Sequence, residues 1–217
     1  MPTLPTGTVT FLFTDIEGST RLWEQHPEAM KAALARHDLL LRQAIERHGG
    51  GVVKTTGDGV LAAFATVSGA VHAALDAQRA LYQEAWPETG ALRVRMALHT
   101  GTAEERGTDY FGPSLNRAAR LMGAGHGGQI LLSLATQILF RDALAEMAAT
   151  HPGHSLQVRD LGEHRLKDLS EPERIFQLVT SDLPSDFPPL KTLNSRPNNI
   201  PPQPTALVGR ERETKAV

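Results

Sequence analysis

The first hundred residues alternate between short apolar runs and longer stretches with helical spacing of apolar positions. The apolar runs predict strands at about residues 8–14, 51–56, 60–65 and 91–101. Apolar residues recur every three or four positions at about 27–48 and 67–85, which predicts two helices. The order strand, helix, strand, strand, helix, strand predicts a ferredoxin-like βαββαβ core, an α+β fold.

The two middle strands are predicted to form a hairpin. Their sequences, GVVKTT and VLAAFA, are separated by Gly57, Asp58 and Gly59. Glycine accepts the positive φ that a tight turn needs. We therefore expect Asp58 at the tip of this turn.

The later part of the chain predicts a C-terminal extension to the core. It holds an amphipathic segment at 113–123, a strand-like run at 127–133, a helix at 134–147 and two strand candidates at 156–161 and 174–179. From residue 181 prolines become frequent and periodicity is lost. We expect one domain at 1–180 and a mostly extended or disordered linker at 181–217.

Composition narrows the classes of function. The formal net charge of −2 and the scattered basic residues give no general attraction to nucleic acid or to acidic membranes. There is no cysteine, which excludes disulfides and thiolate metal sites. The N-terminus has no secretory pattern and no stretch is apolar enough to span a membrane, so we expect a cytoplasmic protein.

Two carboxylates are expected side by side at one edge of the sheet. Asp15 ends the first predicted strand and Asp58 lies in the hairpin turn. In a ferredoxin-like sheet the first and second strands run parallel through a right-handed crossover, so these two points share an edge. Two such carboxylates repel each other unless a cation lies between them, and Mg²⁺ or Mn²⁺ suits their hard oxygen ligands.

Each residue also has an ordinary structural explanation. Asp15 can cap the following helix, and Asp58 can be the usual Asp-Gly turn residue. The predicted juxtaposition favours a metal site over these two separate explanations. Gly18, Ser19 and Thr20 follow near a helix start, where free backbone N–H groups can hold phosphate oxygens.

Three motifs in order give the chain a resemblance to a known family. TFLFTDIEGST, KTTGD and DYFGPSLNRAAR resemble the motifs of class III nucleotidyl cyclases, in the bacterial subgroup with TDIEGST. The resemblance covers about residues 7–180. It implies the class III cyclase fold and a homodimer that converts ATP to 3′,5′-cyclic AMP and pyrophosphate, with two metal ions at each of two interface sites.

The resemblance also assigns roles to residues. It implies that Asp15, Asp58 and the Ile16 carbonyl bind metal, that Lys54 and Asp109 select the purine, and that Asn116 and Arg120 orient the ribose and stabilise charge on the phosphate. The RLKDLSEP stretch resembles the region of a triphosphate-contacting lysine, which implies this role for Lys167. In the family the metal-binding pair comes from one subunit, and the Lys/Asp and Asn/Arg pairs come from the other subunit.

The purine-selecting pair also has a chemical argument. Adenine presents an acceptor at N1 and a donor at its amine, which a lysine and an aspartate can read respectively, whereas guanine presents a carbonyl and an N–H there. Lys54 and Asp109 therefore favour ATP over GTP. For each residue alone, a solvated surface charge is the simpler explanation.

Two interpretations of function remain open from the sequence. The first is an active adenylate cyclase acting in signal transduction. The second is a nucleotide-sensing or dimerisation module with weak or no turnover. The C-terminal TALVGRERE resembles the lead-in to a STAND-type ATPase domain of bacterial regulators, so we expect that linker 181–217 leads to an ATPase domain missing from this chain.

Overall fold

The computed structural model describes residues 4–141 and 156–193. A seven-stranded mixed sheet carries the strand order β2-β3-β1-β4-β7-β9-β8, and β5 and β6 form a separate two-stranded hairpin. The strands are β1 (Thr8–Ile16), β2 (Gly51–Thr56), β3 (Gly59–Phe64), β4 (Val94–Thr102), β5 (Glu104–Arg106), β6 (Asp109–Phe111), β7 (Ile130–Ser133), β8 (Gln157–His164) and β9 (Glu173–Val179). The helices are α1 (Ser19–Gln25), α2 (Pro27–Arg47), α3 (Val67–Gln83) and α4 (Pro113–Ala124), and residues 134–141 are also helical.

The β2-β3-β1-β4 part of the sheet, with α2 and α3, confirms the expected ferredoxin-like core. β1 pairs antiparallel with both β3 and β4. Because β2 is antiparallel to β3, strands β1 and β2 run in the same direction. The extension adds β7 parallel to β4, followed by β9 and β8.

Strand alternation divides the core between the two faces of the sheet. Leu12 and Ile16 of β1 are buried in the cluster that includes α2 and α3. Val9 and Phe11 are buried on the other face, in a cluster with Leu115 of α4. Asp15 continues the odd-numbered series and therefore lies on the α4 face.

The sequence pattern did not predict the short helix α1 or the β5-β6 hairpin. The short helix α1 buries no residue, so it lacks the apolar stripe that helix prediction relies on. The β5-β6 hairpin has an exposed first strand, Glu104–Arg106, and its turn contains Gly107 at φ 66°. Neither element has the apolar periodicity that identified the others.

The segment after β9, residues 181–193, has neither strand nor α-helix and lies against the domain. Leu190 is buried in a cluster with Leu121 of α4 and Ile175 of β9. The backbone N–H of Lys191 donates to the Ala124 carbonyl at 2.9 Å. The C-terminal motif at 205–213 and the end of the helix expected at 134–147 lie outside the described residues. None of the helices in the described part of the chain is long and apolar enough to cross a membrane.

Candidate active site

Asp15 and Asp58 lie beside each other at one edge of the sheet. The β1-β3 register runs from Thr10 opposite Phe64 to Phe13 opposite Leu61, so the end of β1 lies next to the start of β3 at Gly59. A Cβ atom at Gly59 would lie 2.6 Å from the Thr14 carbonyl oxygen, so only glycine permits this close approach. The structure thus brings together the two carboxylates predicted from topology.

The two carboxylates have different surroundings. The Oδ2 atom of Asp58 is buried and has no hydrogen-bond partner among the described residues. Asp15 accepts from the Arg95 Nε at 2.7 Å. Burial raises the pKa of Asp15, Arg95 opposes this, and the charges of Asp58 and Glu17 reinforce it.

These residues fit a divalent metal ion. A buried carboxylate oxygen without a partner is costly unless a cation or donor satisfies it. Mg²⁺ typically uses one or two carboxylates together with waters and substrate phosphates. The described residues contain no cluster of three or more His, Cys, Asp and Glu side chains that could hold a metal by themselves. Asp15 and Asp58 therefore suit an ion that arrives with a phosphate ligand.

Glu17, the third carboxylate of this stretch, is held by other groups. It accepts from Lys191 Nζ and, at 3.0 Å, from the backbone N–H of Gly127. Burial acts to raise the pKa of Glu17, but these donors outweigh it and the pKa lies below its ordinary value. Glu17 thus ties the end of β1 to segment 181–193.

The residues expected to cradle phosphate form the start of α1. Gly18 is the N-cap residue at φ 75°, a left-handed conformation that favours glycine, and Ser19 begins the helix. The N–H groups in the first turn of a helix have no intrahelical partner. The backbone N–H groups of Ser19 and Thr20, four and five residues after Asp15, therefore have no partner within the helix.

Lys54 and Asp109 meet although they are far apart in sequence. Lys54 Nζ lies 2.5 Å from Asp109 Oδ2. The β5-β6 hairpin carries Asp109 to β2, and the backbone N–H of Tyr110 donates to the other carboxylate oxygen at 2.8 Å. The hydrogen bond from Lys54 lowers the pKa of Asp109. Both side chains remain partly exposed, so a ligand can reach them.

Helix α4 presents Asn116 and Arg120 on one exposed side, as their i, i+4 spacing predicts. Arg120 forms an ion pair of 2.6 Å with Asp168, which has φ 61° and is the one non-glycine residue with positive φ in the described segments. The neighbouring Arg117 instead pairs with Glu173 of β9 at 2.6 Å. Arg120 and Lys167 line one pocket, and neither Asp15 nor Asp58 lies in its lining.

Two residues near the carboxylates were missed by the sequence analysis. Arg95 lies opposite Asp15 in the β1-β4 register, and its signal was a cation at the start of an apolar strand. His37 of α2 is fully buried, and its Nε2 has no partner among the residues described. Burial lowers the pKa of His37, while the charges of Asp38, Asp58 and Asp15 act to raise it. Its signal was a histidine within an apolar helix face.

The family model "Adenylate and Guanylate cyclase catalytic domain" matches residues 1–168. The chain belongs to this family. The cyclase-domain chain is 42% identical over 212 residues to an uncharacterized protein of Mycobacterium tuberculosis, covering 96% of this chain and 69% of that relative. It is 31% identical over 221 residues to an adenylate cyclase of Podospora anserina, covering 80% of this chain but 10% of that protein.

A solved structure agrees with this membership. An adenylate cyclase from Trypanosoma brucei in its monomeric state superposes with a TM-score of 0.75 at 31% identity, covering 88% of this chain and 97% of that one. The α+β nucleotidyl cyclase fold expected from the motifs is therefore confirmed.

Proposed function

We propose that this cyclase domain converts ATP to 3′,5′-cyclic AMP and pyrophosphate as a homodimer, with two Mg²⁺ or Mn²⁺ ions at each site. The observation that carries the proposal is the contact of 2.5 Å between Lys54 and Asp109. A donor and an acceptor side by side match the N1 and amine edge of adenine. The similarity to named adenylate cyclases supports the same substrate.

The carboxylate pair supports the metal requirement. Asp15 and Asp58, with the Ile16 carbonyl, would hold the ions. The chemistry that ions bound there supply is a lower pKa for the attacking 3′-hydroxyl and neutralisation of charge on the leaving pyrophosphate. Because Asp58 has a buried oxygen without a partner in the described chain, it is the carboxylate with the most to gain from a cation.

The remaining residues bind and orient the substrate. Asn116 holds the ribose, and the Arg120 guanidinium stabilises charge that develops on the phosphate. Lys167 and the first-turn N–H groups of Gly18, Ser19 and Thr20 bind phosphate oxygens. Arg120 must exchange Asp168 for substrate, which costs little because an exposed ion pair is worth about 0–1 kcal/mol.

One chain contains both the metal-binding carboxylates and the pocket of Arg120 and Lys167, but as two separate places in the fold. The lining of the pocket that holds Arg120 and Lys167 contains neither Asp15 nor Asp58, which supports a second subunit as the source of the carboxylate pair for each Arg120. This arrangement supports two sites at a homodimer interface. The alternative, a nucleotide-sensing module with weak turnover, is favoured by the pairing of both Asp15 and Arg120 with other side chains in the single chain.

The first test measures cyclic AMP formation by the purified chain with ATP and Mn²⁺ or Mg²⁺ over a range of protein concentrations. We expect a rate that rises faster than protein concentration and falls at least about 100-fold in Asp58→Asn, since the variant loses a metal ligand. Glu28→Gln, which removes an exposed carboxylate paired with Lys31, is the matched control. No product at concentrations where the chain is dimeric would favour the sensor module.

Metal binding can be tested separately from turnover. A ligand at 100 times its Kd stabilises the folded state by about 2.7 kcal/mol. We expect Mn²⁺ with an ATP analogue that lacks the attacking 3′-hydroxyl to raise the Tm of the wild type and to raise that of Asp58→Asn much less. An equal rise in both proteins would remove Asp58 from the metal site.

A further inference from the structure

Three cations line one pocket between α4, the loop at 165–169 and segment 181–193. The pocket has a volume of about 420 Å³, and its charged lining residues are Arg120, Lys167 and Lys191. No carboxylate lies in its lining. A pocket lined by three cations and no anion attracts a polyanion.

Lys191 is fixed in this pocket by its own backbone and by its neighbours. Its N–H donates to the Ala124 carbonyl at the end of α4, and the N–H of Leu193 donates to the Arg165 carbonyl at 3.1 Å. Leu190 and Thr192, on either side, are each 5% exposed. The lysine is therefore attached to both walls of the pocket and is not on a free tail.

The partners of these cations can be exchanged for a ligand. Arg120 pairs with Asp168 and Lys191 with Glu17, and both carboxylates lie outside the lining. Lys167 has no ion pair with any residue in the described part of the chain. Partly exposed ion pairs are weak, whereas a triphosphate offers several charged acceptors to all three cations at once.

We propose that Lys191 is a further phosphate-binding residue of this site, contacting the triphosphate of the nucleotide and the pyrophosphate product together with Arg120 and Lys167. This inference rests on the proposed function. Binding then transfers Lys191 from Glu17 to the phosphate. Since Glu17 is two residues after Asp15, nucleotide binding is coupled both to the metal edge and to segment 181–193.

The test is calorimetric titration with inorganic pyrophosphate in the presence of EDTA, so that no metal at Asp15 and Asp58 contributes. We expect the wild type to bind and Lys191→Met to bind about tenfold more weakly, because one of three charged donors is lost. Lys191→Arg should restore binding to within about twofold, since it keeps the charge. Lys31→Met, which removes an exposed lysine of α2, is the control and should bind like the wild type.

Three results would overturn the inference: no pyrophosphate binding by the wild type, unchanged binding by a folded Lys191→Met, or equal weakening in Lys191→Met and Lys191→Arg. The last result would mean that the loss of binding does not follow the loss of charge, so that Lys191 acts by placing segment 181–193 and not by contacting phosphate. None of these readouts depends on turnover. Absence of cyclic AMP formation with intact, Lys191-dependent pyrophosphate binding would reject the proposed function and leave the binding site standing.

Discussion

At the scale of single residues, the proposed function assigns the choice of purine to Lys54 and Asp109. Lys54 donates a hydrogen bond to Asp109, which lowers the pKa of Asp109. The pair therefore stabilises the fold at pH values above the ordinary carboxyl pKa, and this stabilisation is lost as the pH falls through the lower pKa of the folded state. We expect Lys54→Met to return the Asp109 pKa towards its ordinary range in a carboxyl NMR titration. We also expect the ratio of kcat/KM for ATP over GTP to fall about tenfold or more, because an unpaired polar edge of the base is penalised.

Arg106→Met is the control for this pair. Arg106 lies on the β5-β6 hairpin that carries Asp109, and it pairs with Glu104. Like Lys54, it lies over the Phe111 ring. It should leave both the Asp109 pKa and the nucleotide ratio unchanged. A Lys54→Met protein that still prefers ATP as strongly as the wild type would show that pocket shape, and not this pair, selects the base.

A buried histidine in β4 makes the fold sensitive to acid. His99 is 3% exposed, its Nδ1 lies 2.8 Å from Ser133 Oγ, and burial with the charge of Arg117 lowers its pKa to about 4. The His99 side chain has its ordinary pKa of 6.5 in the unfolded chain and a pKa of about 4 in the folded chain. The unfolded chain therefore binds more protons between these pH values, and stability falls as pH drops through this range. From pH 7 to pH 5 the expected loss is about 2 kcal/mol of unfolding free energy.

Urea denaturation at the two pH values checks this expectation. His99→Asn keeps a polar group near Ser133 but has no group there that titrates. The loss of unfolding free energy between pH 7 and pH 5 should therefore be about 2 kcal/mol smaller in the variant than in the wild type. The variant is compared with itself at the two pH values, which removes any constant cost of the substitution. Identical pH slopes for variant and wild type would mean that His99 is not the group responsible.

At the scale of elements, α4 provides a matched pair of arginines. Arg120 lines the pocket of Lys167 and Lys191 and forms an exposed ion pair with Asp168. Arg117 instead pairs with Glu173, whose side chain is 16% exposed. We expect Arg120→Ala to lower kcat by about 100-fold to 1000-fold with little change in Tm, since it removes stabilisation of developing charge. Arg117→Ala should cost stability, about 1–3 kcal/mol, and leave kcat within a few fold.

Single-turnover rates and thermal unfolding of the two variants separate these roles. Arg117 and Arg120 are three residues apart and are therefore close neighbours on the surface of α4. The comparison thus tests which of two adjacent arginines acts on the substrate. If Arg117→Ala lost turnover and Arg120→Ala did not, the assignment of the catalytic guanidinium would be reversed.

The elements that sequence predicted are those with apolar periodicity. The core strands and both long helices were predicted within a few residues, because burial on one or both faces leaves a pattern in the sequence. The carboxylate pair could be predicted because topology alone brings Asp15 to the hairpin turn. The contact between Lys54 and Asp109 could not be derived in this way, since it depends on the β5-β6 hairpin, whose strands have only three residues each and therefore carry no such pattern.

At the scale of the whole molecule, segment 181–193 shows a different limit of the sequence. Its prolines indicate an extended chain, and the structure has no strand or α-helix there. Composition does not indicate where an extended chain lies, however. The docking of Leu190 and Lys191 depends on a buried site and a carbonyl supplied by α4, which are properties of the folded domain.

The two halves of the proposed site give the strongest test of the dimer. If carboxylates from one subunit act with Arg120 from the other, an Asp58→Asn and Arg120→Ala heterodimer has one site with both changes and one intact site. Random exchange of equal amounts makes half of the dimers mixed, so activity should recover to about one quarter of the wild-type rate. Each variant alone should remain nearly inactive. Recovery is measured as cyclic AMP formation after mixing, with two preparations of the same variant as the control. Stable mixed dimers without recovered activity would mean that each site is built within one subunit, and the division of the site between chains would then be wrong.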